Sequence, residues 1–169
     1  MQDLRNISVK NLTKSLNSDL ITNGLYCKRF EDKISKVTKS KYTVVCNNGT
    51  SALMMAMLSL IGSKKIIAIV PNINFVATAN IIKLLRGKLV LCDVDEHSGM
   101  VNLKTFNSII KLCDKKKIKP NLFIPIHYAG NVTNLKEINK LCKLRDIKII
   151  EDGCHSFGSS KKFASGKIT

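Results

Sequence analysis

The chain has 169 residues, 44% of them hydrophobic, and carries 28 Lys and Arg against 12 Asp and Glu, a formal charge of +16. That length buries a core of single-domain size without requiring a second domain. The charge raises nucleic acid or an anionic membrane as partners; the lysines are scattered, however, with the densest run at Lys115-Lys116-Lys117 and Lys119 and no Trp in the chain, so a solvated basic surface is expected, with no specific nucleic acid and no membrane.

Short apolar runs alternate with stretches of helical period, the signature of an α/β fold with a mainly parallel sheet and flanking helices. In chain order, Phe30, Ile34 and Val37 recur at i, i+4 and i+7 and predict a helix whose apolar stripe lies on the sheet. A strand is expected from Thr43 to Cys46, then a helical run from Leu53 to Ile61. Strands follow at Ile66 to Val70, Lys88 to Cys92 and Leu122 to Ile126. A helix carrying Leu135, Ile138, Leu141 and Cys142 leads into a last strand, Lys148 to Glu151. Beyond it, Ser159 to Thr169 reads as loop or tail. A sheet of about five strands whose last member lies so near the end is expected to open a larger domain.

Four segments could carry chemistry, and each follows a strand. Asn48-Gly49-Thr50-Ser51 opens a helix, where hydroxyls and first-turn amides suit an anion, although an ordinary N-cap has the same composition. Pro71-Asn72-Ile73-Asn74-Phe75 leads into another helix; Phe75 could stack on a flat ring or be plain core. Pro125-Ile126-His127-Tyr128-Ala129-Gly130 places a His and a Tyr at a third strand end. Glu151-Asp152-Gly153-Cys154-His155 places carboxylates and a His at the fourth. In an open parallel sheet, strand carboxyl ends share one rim, the usual place for a ligand.

Other chemistries lose their support. Neither G-x-G-x-x-G nor a Walker A pattern occurs, no G-x-S-x-G elbow is present, and His97, His127 and His155 have no metal-ligand spacing. The six cysteines (Cys27, Cys46, Cys92, Cys113, Cys142 and Cys154) include no C-x-x-C pair. The N-terminus lacks the apolar stretch of a signal peptide, and no run approaches the ~20 apolar residues of a bilayer span. Thiols in a reducing cytoplasm are therefore expected. The sequons at Asn6, Asn11, Asn48 and Asn131 carry no weight without secretion.

The segments Ile21-Thr22-Asn23-Gly24, NNGTSAL, VPNINFVATAN, LCDVDEHSGMVNL, IPIHYAGNVTNL and IIEDGCHSFGS, in this order, resemble the fold-type-I aminotransferases that act on nucleotide-linked keto sugars, the DegT/DnrJ/EryC1/StrS group. The likeness runs from about Ile21 to Gly158. It implies pyridoxal phosphate as cofactor, with Thr50 and Ser51 on its phosphate, Phe75 against a face of the pyridine ring and Asp152 paired with the ring nitrogen. His155 matches a Gln-or-His position near the ring's phenolic oxygen. His127 and Tyr128 fall in the family's H-x-x-G segment, close to the site and without a defined role.

The family's Schiff-base lysine lies in a Ser-(Phe)-x-x-x-Lys segment some tens of residues beyond the E-D-x-x-H/Q motif. These 169 residues do not contain it, and Lys161, Lys162 and Lys167 match no such segment. The resemblance thus implies the front part of a large cofactor-binding domain across residues 1–169, a small C-terminal domain being absent, and essentially no transamination by this chain alone. It further implies glutamate as amino donor, a keto nucleotide sugar for surface glycans as acceptor, and a homodimer. The rivals are another fold-type-I enzyme with a different substrate, a non-catalytic remnant or interaction module, and a basic nucleic-acid binder.

Overall fold

The computed structural model describes residues 9–22, 24–133 and 135–159. Lys161, Lys162 and Lys167, and Asn23 of the first family segment, lie outside these. The chain divides into two compact units, residues 1–46 and 47–169.

In the first unit, helix α1 spans Val9–Leu16 and α2 spans Leu25–Thr38. The expected stripe on α2 is not buried: the helix has no buried residue, and Phe30 and Val37 are 55% and 59% exposed. The stretch from Thr43 to Cys46 is not a strand either. It alternates in burial, but it has no ladder partner among the described residues. Side chains of α2 hold it instead: the Val45 N–H donates to Glu31 Oε1 at 3.1 Å, and the hydroxyls of Ser35 and Thr43 lie 2.6 Å apart. Strand-forming residues make a strand only where another chain segment offers backbone groups to pair with.

The second unit is an α/β layer structure. Helix α3 spans Gly49–Ile61, β1 Ile67–Pro71, α4 Val76–Leu84, β2 Lys88–Cys92, α5 Leu103–Lys115, β3 Leu122–Phe123, α6 Lys136–Leu144 and β4 Lys148–Ile149. The four strands form one parallel sheet in the order β2-β1-β3-β4. Alternation along the strands sorts the core into two layers. Ala68, Val70, Leu122 and Ile124 pack with Leu53, Met57 and Ile61 of α3 and Ile81 and Ile82 of α4. Ile69, Val90 and Phe123 face the other way, onto Phe106, Ile109 and Ile110 of α5 and Ile138 and Cys142 of α6.

Strand β2 has the bounds expected from sequence, and β1 is displaced by one residue. The strands expected to run to Ile126 and Glu151 are cut short to β3 and β4. Pro125 has no N–H to donate, so regular pairing stops, and only the isolated bridge between Ile126 and Asp152 continues it. Local chemistry sets the helix starts. Asn48 caps α3 by accepting the Ser51 N–H at 2.9 Å, and Asn102 with Thr105 forms a capping box on α5. The turn from α4 into β2 needs Gly87, where a Cβ would lie 3.0 Å from both Ile66 and Ile82.

The strand order reverses direction between β1 and β3: β2 follows β1 on one side, and β3 then returns to the other. Connections leave the rim in opposite directions at such a point and open a crevice at the strands' carboxyl ends.

Candidate functional site

A cavity of about 570 Å³ occupies that crevice. The first turn of α3 contributes Asn48, Gly49 and Thr50, the segment after β1 contributes Asn74 and Phe75, the segment after β3 Ile126 and Tyr128, and the segment after β4 Asp152, Cys154 and His155.

The α3 end is a donor end. The first helical backbone bond is from the Ala52 N–H to Asn48 O at 3.1 Å, so the amides of Gly49 and Thr50 have no acceptor within the helix. Helix polarity favours an anion in front of them. Ser51 is placed differently from Thr50: its N–H is taken by the Asn48 cap and it does not line the cavity. A Cβ at Gly49 would lie 3.5 Å from Cys154 Sγ, an ordinary contact, which sets the Cys154 thiol beside the first turn of α3.

Asp152 supplies the opposite character. It is 8% exposed, and its Oδ1 accepts the Cys154 N–H at 3.1 Å. The same carboxylate, as hydrogen-bond acceptor, together with burial, pushes the Cys154 thiol up to about 11. Both of these donors are neutral. A buried carboxylate is costly unless a cation or several donors face it, and Asp152 opens onto the cavity.

Phe75 is 71% exposed at the N-terminus of α4 and lines the cavity. It is therefore not the core residue that an apolar helix start suggests. The rim after β3 is a short 3-10 turn, Tyr128–Gly130, in which Ala129 has φ 52° and Gly130 φ 83°. A left-handed Ala costs roughly 1–2 kcal/mol, and such conformations persist where surrounding contacts impose them. Here the Ala129 N–H points at His155 Nδ1 at 3.4 Å, and the Tyr128 and His155 rings lie 5.7 Å apart.

Thr50, Phe75, Asp152 and His155 thus come together on one cavity, with Ser51 behind it. Cys154 was not singled out by sequence reasoning; its place two residues after Asp152 is the signal that could have found it. A second arrangement pairs two residues from separately named strand-end segments, a pairing that the sequence did not announce. His127, 5% exposed, does not line the cavity but pairs with Glu151, its Nε2 lying 2.8 Å from Oε2. Among the described residues, no group of three His, Cys, Asp or Glu side chains could hold a metal ion, and no helix is long and apolar enough to cross a membrane.

The lining combines first-turn amides and a hydroxyl, an aromatic side chain beside apolar walls, and a buried carboxylate, a donor set whose chemistry suits a flat ring carrying a phosphate.

Comparison with known proteins found a matching family, curated relatives and solved structures. The profile of the DegT/DnrJ/EryC1/StrS aminotransferase family matches residues 2–167. GDP-perosamine synthase of Escherichia coli is 29% identical over 139 residues, 82% of this chain and 36% of that protein. A UDP-4-amino-4,6-dideoxy-N-acetyl-beta-L-altrosamine transaminase of Campylobacter jejuni is 27% identical over 161 residues, 95% of this chain and 42% of its own length. A crystal structure of a DegT DnrJ EryC1 StrS aminotransferase from Brucella abortus superposes with a TM-score of 0.74 at 26% identity, over 85% of this chain and 38% of that one. The chain therefore spans only about two fifths of the length of these relatives.

Proposed function

Since the chain belongs to the DegT/DnrJ/EryC1/StrS aminotransferase family, we propose that residues 48–155 form the pyridoxal-phosphate-binding part of a nucleotide-sugar aminotransferase. The observation that carries this reading is the buried Asp152 carboxylate, met by neutral donors and open to the cavity that the α3 amides also face. When bound, pyridoxal phosphate supplies an electron-accepting ring for amino-group transfer.

Each residue then has a part. Thr50 and the first-turn amides of α3 hold the phosphate, with Ser51 supporting that turn through its capped N–H. Phe75, which lines the cavity, would stack on the ring. Asp152 keeps a proton on the ring nitrogen, where the low polarity of the site strengthens the pairing. His155, also on the cavity, would be a partner for the ring's phenolic oxygen. The substrate class comes from the relatives, one named for a GDP-linked sugar and one for a UDP-linked sugar. The acceptor is accordingly a keto sugar on a nucleotide, destined for surface glycans, with glutamate as amino donor and a homodimer as the working assembly.

Covalent attachment requires a lysine that these residues do not assign, so for this chain the reading is reversible, non-covalent binding. The test is a fluorescence titration of the chain with pyridoxamine 5′-phosphate and pyridoxal 5′-phosphate, repeated with Thr50→Val. Saturable binding that Thr50→Val weakens, and that inorganic phosphate competes away, supports the reading. Absence of saturable binding sinks it. A long-wavelength band with pyridoxal phosphate that borohydride fixes to a lysine would show that this chain does hold the nucleophile.

A further inference from the structure

The carboxylate that faces the cavity sits beyond the regular sheet. The β3–β4 ladder ends at the pairing of Phe123 with Ile149, and past it the backbone is tied by the Ile150 N–H to Phe123 O at 3.1 Å, the Asp152 N–H to Pro125 O at 2.9 Å and the His127 N–H to Asp152 O at 3.1 Å. In the described sheet β4 is the edge, so these ties all come from one side. Backbone bonds of this kind set the strand face of Asp152, but in the described sheet they hold the segment from the β3 side alone.

The imidazole of His127 adds a side-chain tie to the same segment. Its Nδ1 accepts the Thr133 N–H at 3.1 Å. A ring nitrogen that accepts must bear its lone pair, so the ring proton is on Nε2, and Nε2 donates to Glu151 Oε2 at 2.8 Å. Thr133 is anchored in turn, its hydroxyl donating to Ile126 O at 3.1 Å. The ring is buried, whereas Glu151 is half exposed. Release of Glu151 would leave a buried N–H unpaired, which favours the closed latch. Successive side chains of an extended segment point to opposite faces. With Glu151 held toward His127, Asp152 is turned to the other face, the cavity side.

We propose that His127 is a positioning residue: through Glu151 it sets the direction of the Asp152 carboxylate toward the ring nitrogen of the bound cofactor. This rests on the functional reading above. His127 does not touch the cavity, so its effect is entirely through its two partners.

The test compares the unaltered chain with His127→Asn, Glu151→Ala and Glu151→Gln, using two probes on each. Pyridoxamine 5′-phosphate reports the whole site, and inorganic phosphate, followed by phosphorus NMR, reports the α3 end alone. Asn can still accept from Thr133 but cannot reach Glu151, and Gln at position 151 can still accept from Nε2. Pyridoxamine phosphate should bind about tenfold more weakly in His127→Asn and Glu151→Ala, the usual scale for losing an orienting partner, while Glu151→Gln stays near the unaltered value. Phosphate affinity should be the same in all four. With a ¹⁵N-labelled cofactor, the ring-nitrogen shift should move toward the deprotonated form in the two weakened variants only. Equal pyridoxamine phosphate affinity in all four proteins would overturn the proposal. So would a parallel loss of both probes, which marks a general structural role. If the unaltered chain binds no pyridoxamine phosphate, the functional reading has failed and this proposal falls with it; binding with unchanged variants defeats this proposal alone.

Discussion

The carboxylate of Asp152 and the thiol of Cys154 are hydrogen-bonded neighbours on the cavity wall: Asp152 Oδ1 accepts the Cys154 N–H at 3.1 Å, and the same carboxylate, ahead of burial, pushes the thiol up to about 11 from its ordinary 9.0. One side chain thus suppresses a nucleophile and presents negative charge to the cavity. Asp152→Asn should do two things. The thiolate fraction of Cys154 rises once the carboxylate is gone, so iodoacetamide at mildly alkaline pH should label that residue faster, as read by peptide mass mapping. Pyridoxamine phosphate affinity should fall by tenfold or more, since a charge-assisted bond is replaced by a neutral one. An unchanged labelling rate would show that the carboxylate does not control the thiol.

Phe75 offers a separation of binding from stability. Its ring is exposed at the start of α4, whose buried contacts come from Ala77, Thr78, Ile81 and Ile82. Phe75→Ala should shift the unfolding free energy by no more than about 0.5 kcal/mol, as for surface positions generally. Cofactor affinity should nevertheless drop several-fold. Chemical denaturation and the fluorescence titration together check this, and a large stability loss would mean that Phe75 is packed after all.

The opposite outcome is expected at Phe106. It is fully buried on α5, with its ring centroid 4.7 Å from that of Phe123 on β3. Phe106→Ala should cost about 3–5 kcal/mol through lost transfer energy and the cavity left behind. The midpoint of urea unfolding should fall accordingly.

Arg145 and Asp114 form a two-pronged ion pair, with contacts of 2.7 and 2.8 Å, that joins the ends of α5 and α6. The guanidinium holds the Asp114 carboxyl below its ordinary value. Because the folded-state value lies below the unfolded one, the stabilisation is complete above the ordinary carboxylate range and is lost as pH falls through the lowered value. Asp114→Asn should therefore lower Tm slightly at neutral pH, and the gap between the two proteins should close under acid. Both partners are substantially exposed, so added salt should narrow the gap as well. A gap that grows on acidification would contradict this sign.

Patterns local to the chain determined a good deal by themselves. Alternation of apolar runs with helical period announced the parallel α/β layers, since burial on both faces imposes that pattern on strands. Strand β2 was read with its actual bounds, and the apolar stripe of α6 proved buried at Leu135, Ile138 and Cys142. The strand-end positions of Phe75, Asp152 and His155 were legible too, because parallel strands send their carboxyl ends to one rim; Thr50 reaches the same cavity from the N-terminus of α3, with no strand directly before it.

Tertiary structure decided the rest. Whether the stretch from Thr43 to Cys46 is a strand depends on a partner segment that no local pattern reveals, and α2 shows that an apolar stripe does not guarantee burial. The split between Thr50, on the cavity, and Ser51, committed to the Asn48 cap, turns on which way one helical turn faces. Likewise, His127 and Glu151 are 24 residues apart, and only the folding of β3 beside β4 gives that buried imidazole its carboxylate. Hydrogen bonds depend on ångström-scale distances and on direction, and sequence separation carries neither.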